Sequence, residues 1–482
     1  MSIINIKSKE KKPAALLLVM FFAIVSMSIT GSSVRDTAFL LEYDRTLLPI
    51  MYVMIALVMA AIIPIYKKLV KGKDHISVIK MSGIWFAITI MLIKPNMIGL
   101  LIPVFYVWME IITIISILQF WVLAGEIFNA RQAKRLFPII TAGGSFSGMG
   151  IGYIIKPIAK NHGYENLLIL TLFFILITIA IAHILVSYIR KEKFSHSNDN
   201  SASKSAKVDT YIKFIAGMVG ISAFISKVVD YQFKIMAVNT YPEQDALVSF
   251  FGTYYMLTGL ATLIMQFFVS GTILGRFGIL VASLVLPISL AFGSIGFFLL
   301  GTITTVFTAK FSDQVFKFSI NNSVQEILWL PVARQMKRQS KPIIDGTIRS
   351  GMEGLAGVLI FLLISTSIIS ESQIYLLSLV IIFAIFFWIW NNMKLKEGYV
   401  KTLMSSIENR QLNFDNVRFD INDTDIIKTL DKALKDDDEL KQLFALDLLR
   451  KLPLTPWKRT LETLFIEGKK SVKLEVIKLT WN

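Results

Sequence analysis

Two stretches decide how this chain is read. The first is EIFNARQAKRLFPIITAGGSFSGMGIG (126–152); the second is EILWLPVARQMKRQSKPIIDGTIRSGMEGLAG (326–357). Each carries a basic knot, Arg131-Gln132-Ala133-Lys134-Arg135 in one and Arg334-Gln335-Met336-Lys337-Arg338 in the other. Sixteen residues past the start of each knot comes a Ser-Gly-Met triplet, at Ser147 and at Ser350. The register is imperfect, because Glu126 precedes its knot by five residues and Glu326 by eight. A repeat of this kind in two similar halves of an apolar chain is the mark of internal duplication.

The surrounding composition is that of a membrane protein. Of 482 residues, 54% are hydrophobic and only 17% charged, too apolar for a soluble chain of this length. The apolar residues come in runs near the ~20 residues that a bilayer crossing needs. Twelve such runs stand near 13–34, 47–67, 76–95, 98–124, 136–159, 165–188, 210–238, 246–270, 279–300, 302–328, 343–367 and 373–392. The first run, behind a basic start, has the outline of a signal peptide. No small-x-small cleavage site follows it and further spans come directly after, so it reads as the first span.

The net charge of +16 lies mostly between spans. Lys67, Lys68, Lys71 and Lys73 follow span two, Arg131, Lys134 and Arg135 span four, and Arg190, Lys191 and Lys193 span six. Arg276 follows span eight, Arg334, Lys337, Arg338 and Lys341 span ten, and Lys394, Lys396 and Lys401 span twelve. Basic loops alternate with poorer ones, which predicts cytoplasmic termini and argues against a nucleic-acid site. With no cysteine and four scattered histidines, no disulfide, thiolate chemistry or metal-ligand spacing is available, and neither a metal nor a cofactor is expected.

The Ser-rich segment SHSNDNSASKSAK (195–207) reads as a flexible linker between two six-span halves. The expected architecture is therefore all-α and twelve-span, of the major-facilitator type. Residues 1–194 form one half, 195–209 the linker, 210–395 the second half and 396–482 a helical tail. In the tail, Thr424–Asp436 with Asp438–Lys451, and Trp457–Glu467 with Ser471–Trp481, read as two HEAT-like helix pairs. Two pairs are fewer than the roughly three that a free-standing array needs. Either they open a longer domain or they rest on the membrane part.

Two spans repeat a charged triplet, Lys227-x2-Asp230-x3-Lys234 in span seven and Lys310-x2-Asp313-x3-Lys317 in span ten. Steps of three and four place each triplet on one helix face. Ionisable groups inside a span are costly unless they pair or face a cavity, and spans seven and ten line the central cavity of this architecture. Each Asp is expected to hold its flanking lysines, leaving a surplus of two positive charges suited to an anion such as a phosphate chain. The alternative is that the triplets lie near helix ends and are solvated. Arg35, where span one ends, would grip the outer part of an anion bidentately, or belong to an outer-loop ion pair. Glu110 in span four is a coupling candidate or a helix-pairing partner. Glu126 with Arg131 and Arg135, and Glu326 with Arg334 and Arg338, would form latches that break during alternating access, or mark topology alone. Gly144, Gly148 and Gly152, and Gly346, Ser350 and Gly354, are small-residue stripes for close helix packing. Tyr231, Phe233, Phe311, Phe316 and Phe318 near the triplets offer faces for stacking a base, but at 12% aromatics such neighbours are common, and they read as lipid-facing filler. No GxxxxGK[ST] motif is present, so a P-loop ATPase is not indicated.

Several stretches together resemble a known family: Val34-Arg35-Asp36 with Phe39-Leu40, the run 126–148, VVDYQFK (228–234) and the run 325–357. The chain is similar, over about residues 13–395, to the nucleotide transporters of the bacterial and plastid ATP/ADP translocase family. It most resembles the bacterial branch in which HEAT repeats follow the transporter. The resemblance implies a major-facilitator-like carrier in a bacterial inner membrane, not an enzyme, that exchanges ATP for ADP or takes up nucleotides. It implies that Lys227, Lys234, Lys310 and Lys317 fill the cationic role of the family's cavity. Two other classes stay open, a non-transporting membrane platform whose tail binds a cytoplasmic protein, and a proton-coupled carrier of another organic anion. Convergence of the buried charges on a cavity separates carrier from platform.

Overall fold

A computed structural model describes residues 8–70, 74–94, 99–128, 130–188, 210–329, 331–332, 334–408, 430–436, 439–449 and 454–480. Among these residues the fold is helical, without strands. The helices are α1 (Ser8–Glu42), α2 (Leu48–Val70), α3 (His75–Ile93), α4 (Leu101–Ile127), α5 (Ala130–His162) and α6 (Leu167–Leu185). They continue with α7 (Thr210–Thr240), α8 (Gln244–Ile264), α9 (Ser270–Leu300), α10 (Ile303–Phe316), α11 (Asn322–Leu328), α12 (Arg334–Pro342), α13 (Arg349–Ser365) and α14 (Leu377–Glu408). Ten helices among the described residues are long and apolar enough to cross a membrane. The two remaining expected segments are helical as well. One is α5, which opens on the first basic knot; the other is the α10–α11 rod, which carries Lys310, Asp313, Lys317 and Glu326.

Local chemistry sets the boundaries. Asp74 caps α3 by accepting from the Ser77 amide at 3.1 Å. Gly301 ends α9 in the left-handed conformation (φ 60°) that glycine adopts without a Cβ clash. Within α9, Gly278 takes φ 76° and breaks the helical path, so the turn expected between spans eight and nine lies there. Both basic knots lie in opening helical turns, of α5 and α12, rather than in loops. Three π-helical turns interrupt the second part of the chain, at Met265–Val269, Lys317–Asn321 and Ile343–Ile348.

Helices α1 to α6 pack mainly with one another, α1 against α4, α5 and α6, and α3 against α6. Helices α7 to α14 do the same, α7 against α10, α13 and α14, and α9 against α10 and α14. The two sets meet along two seams, α5 on α8 and α2 on α13. Each seam uses one copy of the repeated small-residue stripe. A Cβ on Gly152 would fall 2.5 Å from the Gly252 carbonyl oxygen and the Met256 amide, and one on Gly148 3.1 Å from the Gly259 Cα. On the other seam a Cβ on Gly354 would meet the Ala56 Cβ at 2.7 Å, and one on Gly357 the Pro49 carbonyl oxygen at 2.6 Å. Backbones this close gain dispersion contacts that larger side chains would forfeit. The face carrying the α1–α2 and α7–α8 turns is the loop face; the opposite one is the terminal face. Near the terminal face the α2–α13 seam is looser, since a Cβ on Gly346 would meet Ile63 only at 4.0 Å.

The tail does not stand apart. Helices Glu439–Leu449 and Lys458–Glu467 both pack on Lys470–Thr480, and the first also touches α14. Its buried Leu430, Leu434, Leu446 and Trp457 belong to one apolar cluster with Tyr211, Trp329, Leu395 and Tyr399. The described tail helices thus rest on the second helix set. The linker 195–209 and residues 424–429 of the first expected tail helix lie outside the described residues.

Candidate functional site

Five helices, α1, α4, α7, α10 and α13, bring charge into the middle of the bundle. Helix α1 runs on to Glu42, so Arg35 and Asp36 lie inside it and buried, not at its end. Arg35 Nε donates to Asp36 Oδ1 at 2.9 Å and Arg35 Nη1 to Glu110 Oε2 of α4 at 2.5 Å. Asp36 Oδ1 is 3.2 Å from Lys234 Nζ of α7, and Lys234 is 3.0 Å from Asp230 Oδ2 one turn earlier. The other oxygen of Asp230 accepts from Lys310 of α10 at 2.8 Å. An unbroken chain thus runs Glu110–Arg35–Asp36–Lys234–Asp230–Lys310 and ties both helix sets together. Two tyrosines brace it. The Tyr52 hydroxyl donates to Asp230 Oδ2 at 3.0 Å, and Lys234 donates to the Tyr106 hydroxyl at 3.1 Å. The Arg35 guanidinium lies 4.5 Å from the Tyr106 ring centre.

The expected surplus of two positive charges does not survive. The chain holds three cations and three carboxylates, because Asp36 and Glu110 enter from the first helix set. Asp230 holds Lys234 as expected but takes Lys310 from the other triplet instead of Lys227. Lys227 instead lies 3.8 Å from Glu353 of α13 and above the Tyr52 ring at 4.7 Å. Unpaired charge at this depth would be expensive, so mutual neutralisation is the condition for six ionisable side chains to share so little water.

The second triplet behaves differently. Asp313, 1% exposed, accepts from the Ser226 hydroxyl at 2.5 Å, and Lys317 donates to the same hydroxyl at 3.0 Å. Asp313 therefore reaches Lys317 only through Ser226, against the expectation of a direct pair. Its Oδ1 has no hydrogen-bond partner among the described residues.

Of the residues expected to form latches, the two glutamates find partners within their own helix sets. Glu126 pairs with His75 of α3, and Glu326 with Lys341 and, at 3.8 Å, with Lys337. The side chains of Arg131, Arg135, Arg334 and Arg338 lie outside the described residues. Of the aromatics read as lipid-facing, Tyr231 and Phe233 are buried; Phe233 packs on Phe250, Tyr254 and Phe307. Asp36, Tyr52, Tyr106, Ser226 and Glu353 were not singled out from sequence. A carboxylate directly after Arg35, in a run that continues Thr37-Ala38-Phe39-Leu40, was the available signal for the first of them.

Chemically the site offers lysines and an arginine for anions, carboxylates that exchange for an incoming anion, and aromatic hydroxyls as donors. Among the described residues no three His, Asp or Glu side chains gather to hold a metal ion.

Comparison with known proteins adds identity to this geometry. A family model described as TLC ATP/ADP transporter matches residues 3–315. The chain is 22% identical to ADP,ATP carrier protein 3 of Rickettsia prowazekii over 351 residues, 61% of this chain and 70% of the relative. It is also 22% identical to ADP,ATP carrier protein 1 of Chlamydia pneumoniae over 365 residues, 64% of this chain and 71% of the relative. Among solved structures, a bacterial homologue of the iron transporter ferroportin in an inward-facing state superposes with a TM-score of 0.59 at 11% identity. That match covers 79% of this chain and 98% of the other. The nucleoside transporter NupG superposes with a TM-score of 0.51 at 12% identity, covering 79% and 99%. At such identities these structures share the major-facilitator-like fold alone.

Proposed function

The chain belongs to the TLC ATP/ADP transporter family, whose members are membrane carriers rather than enzymes, and from that premise we propose that it carries nucleotides by alternating access, exchanging ATP for ADP. The observation that carries this reading is the buried ion chain that joins the two helix sets through Arg35, Lys234 and Lys310. A polyphosphate arriving there competes with Asp36, Glu110 and Asp230 for the same cations. Exchange of partners then loosens one set from the other, which is what rocking of two halves about a central site requires. Asp313 and Lys317 belong to the same site, and Lys227 with Glu353 forms its rim. Glu110, locked to Arg35, acts through that pair. Glu126 and Glu326, with the basic knots, brace the terminal face.

In this reading twelve helices cross the bacterial inner membrane, in halves 1–194 and 210–395 joined by the linker 195–209. Both termini are cytoplasmic, and residues 396–482 form a HEAT-like tail. The pairing of cations with carboxylates favours a second reading as well, a non-transporting platform whose tail binds a cytoplasmic protein. One assay separates them: uptake of labelled ATP into liposomes bearing the purified chain, with and without ADP inside. Uptake that rises with internal ADP and is lost in Lys234→Ala supports the carrier. No nucleotide uptake from folded protein supports the platform.

A further inference from the structure

Outside the neutralised ion chain, two half-buried cations lack a carboxylate at ion-pair distance among the described residues. A small, partly open polar recess lies on the terminal-face side of the chain, between α7, the π-helical turn Lys317–Asn321, α11 and α13. Its polar lining is Lys317, Arg349, Asn321, Asn322, Gln325 and Ser222. Arg35, Lys227, Lys234 and Lys310 each have a carboxylate within 4.0 Å. Lys317 and Arg349 have none among the described residues. Asp345 shares the Arg349 helical rod, and Asp313 and Glu353 are also near, but none of the three closes an ion pair with either cation.

Two further observations point into the same recess. Asn321 is 3% exposed, and its side-chain oxygen has no hydrogen-bond partner. Turning that amide presents its two N–H donors instead. Moreover, each cation borders a π-helical turn, Lys317 opening Lys317–Asn321 and Arg349 directly following Ile343–Ile348. A π turn is rare and is frequent at functional sites. Here two of them aim one lysine and one arginine at the same small volume.

We infer that this recess is an anion subsite, which on the nucleotide-carrier reading takes the phosphate end of the substrate. Arg349 supplies a fork that grips two oxygens, Lys317 a point charge, and the amides of Asn321, Asn322 and Gln325 the remaining donors. Lys317 and Ser226 connect the recess to Asp313, so an anion that draws Lys317 away removes a hydrogen bond from the Ser226–Asp313 pair. Occupation of the recess is thereby felt by the buried second triplet.

The test uses inorganic pyrophosphate as probe and the full chain in detergent, reading the rise of the melting midpoint with pyrophosphate concentration and, in liposomes, KM for ATP. Arg349→Ala weakens pyrophosphate half-saturation tenfold or more, while Arg349→Lys stays within about threefold. Gln325→Glu separates binding from structural support. Its carboxylate pairs with Lys317 and Arg349, so the midpoint without pyrophosphate rises while the pyrophosphate response disappears. An unchanged response in Arg349→Ala, or in Gln325→Glu, overturns the inference. A pyrophosphate response that needs Arg349 in a chain carrying no nucleotide upholds the subsite and refutes the nucleotide reading. ATP uptake with KM unaltered in both variants does the reverse.

Discussion

Asp230→Asn is the perturbation that reports most directly on the ion chain. The substitution keeps shape and removes charge. Asp230 serves Lys310 at 2.8 Å, Lys234 at 3.0 Å and the Tyr52 hydroxyl at 3.0 Å. Lys234 retains Asp36 at 3.2 Å and the Tyr106 hydroxyl, but Lys310 is left with no carboxylate at ion-pair distance among the described residues. Stranding a buried charge costs about 3–5 kcal/mol. The reciprocal change, Lys310→Met, is cheaper, because Asp230 keeps Lys234 and Tyr52. It forfeits one charge-assisted hydrogen bond, about 1.5–3 kcal/mol. The double variant removes the stranded lysine together with its partner and recovers about 1–3 kcal/mol relative to Asp230→Asn, the usual size of coupling between contacting residues. The assay is the thermal midpoint of the purified chain at one scan rate. The expected order is wild type, then Lys310→Met, then the double variant, with Asp230→Asn lowest. An Asp230→Asn protein as stable as Lys310→Met, or a double variant no better than Asp230→Asn, refutes the network as the arrangement that holds these charges.

Two further expectations concern the seam and the tail. Gly152→Leu drives a side chain into the Gly252 and Met256 backbone, an overpacking cost of about 1–3 kcal/mol or more, whereas Gly150→Leu, with nothing within 4 Å of its Cβ, is tolerated. Uptake and melting midpoint measured side by side in the two variants check this; equal behaviour would exclude the α5–α8 seam as a tight contact. In the tail, burial alone would raise the Asp431 carboxyl, but hydrogen bonds from Lys435 and Thr460, with the nearby Lys435 charge, hold it below the usual carboxylate range. A depressed folded value means stability present above the unfolded pKa and lost as pH falls through the folded one. Resistance of the tail to protease is therefore expected to hold down to about pH 4 and to fall below it. Asp431→Asn should flatten that step, and a step that persists in the variant counts against the Asp431 contacts.

Much of this architecture is written in local sequence. The repeated stripes Gly144, Gly148, Gly152 and Gly346, Ser350, Gly354 place α5 and α13 on the two seams because small residues in apolar surroundings allow close helix approach. The charged triplets are legible for the same reason: a helix that carries Lys227, Asp230 and Lys234 on one face needs partners. Which partners is not legible. Lys227 finds Glu353, and Asp230 finds Lys310, across contacts whose geometry no single helix specifies. Arg35-Asp36 reads as a helix end because hydropathy drops there; in the structure the helix runs on to Glu42 with Arg35 paired to Glu110 and Asp36 to Lys234. Tyr52 and Tyr106 are two tyrosines among many aromatics and carry no signal of their own. Arg349 stood in plain view one residue before the second Ser-Gly-Met triplet, but a cation beside a packing stripe looks like topology until its lack of a carboxylate is seen.

The self-neutralised chain Glu110–Arg35–Asp36–Lys234–Asp230–Lys310 bears on the energetics of turnover. A translocation site built from bare cations must borrow counter-charge from its passenger before it can reorient against an apolar layer, and that debt enforces strict one-for-one antiport. Here the counter-charge is resident. For the carrier proposed above, the ion chain therefore adds little Born penalty to reorientation without cargo, and the debt falls on Lys317 and Arg349, whose counter-charge arrives only with an anion in the recess, so these two cations tie the return half-cycle to a passenger.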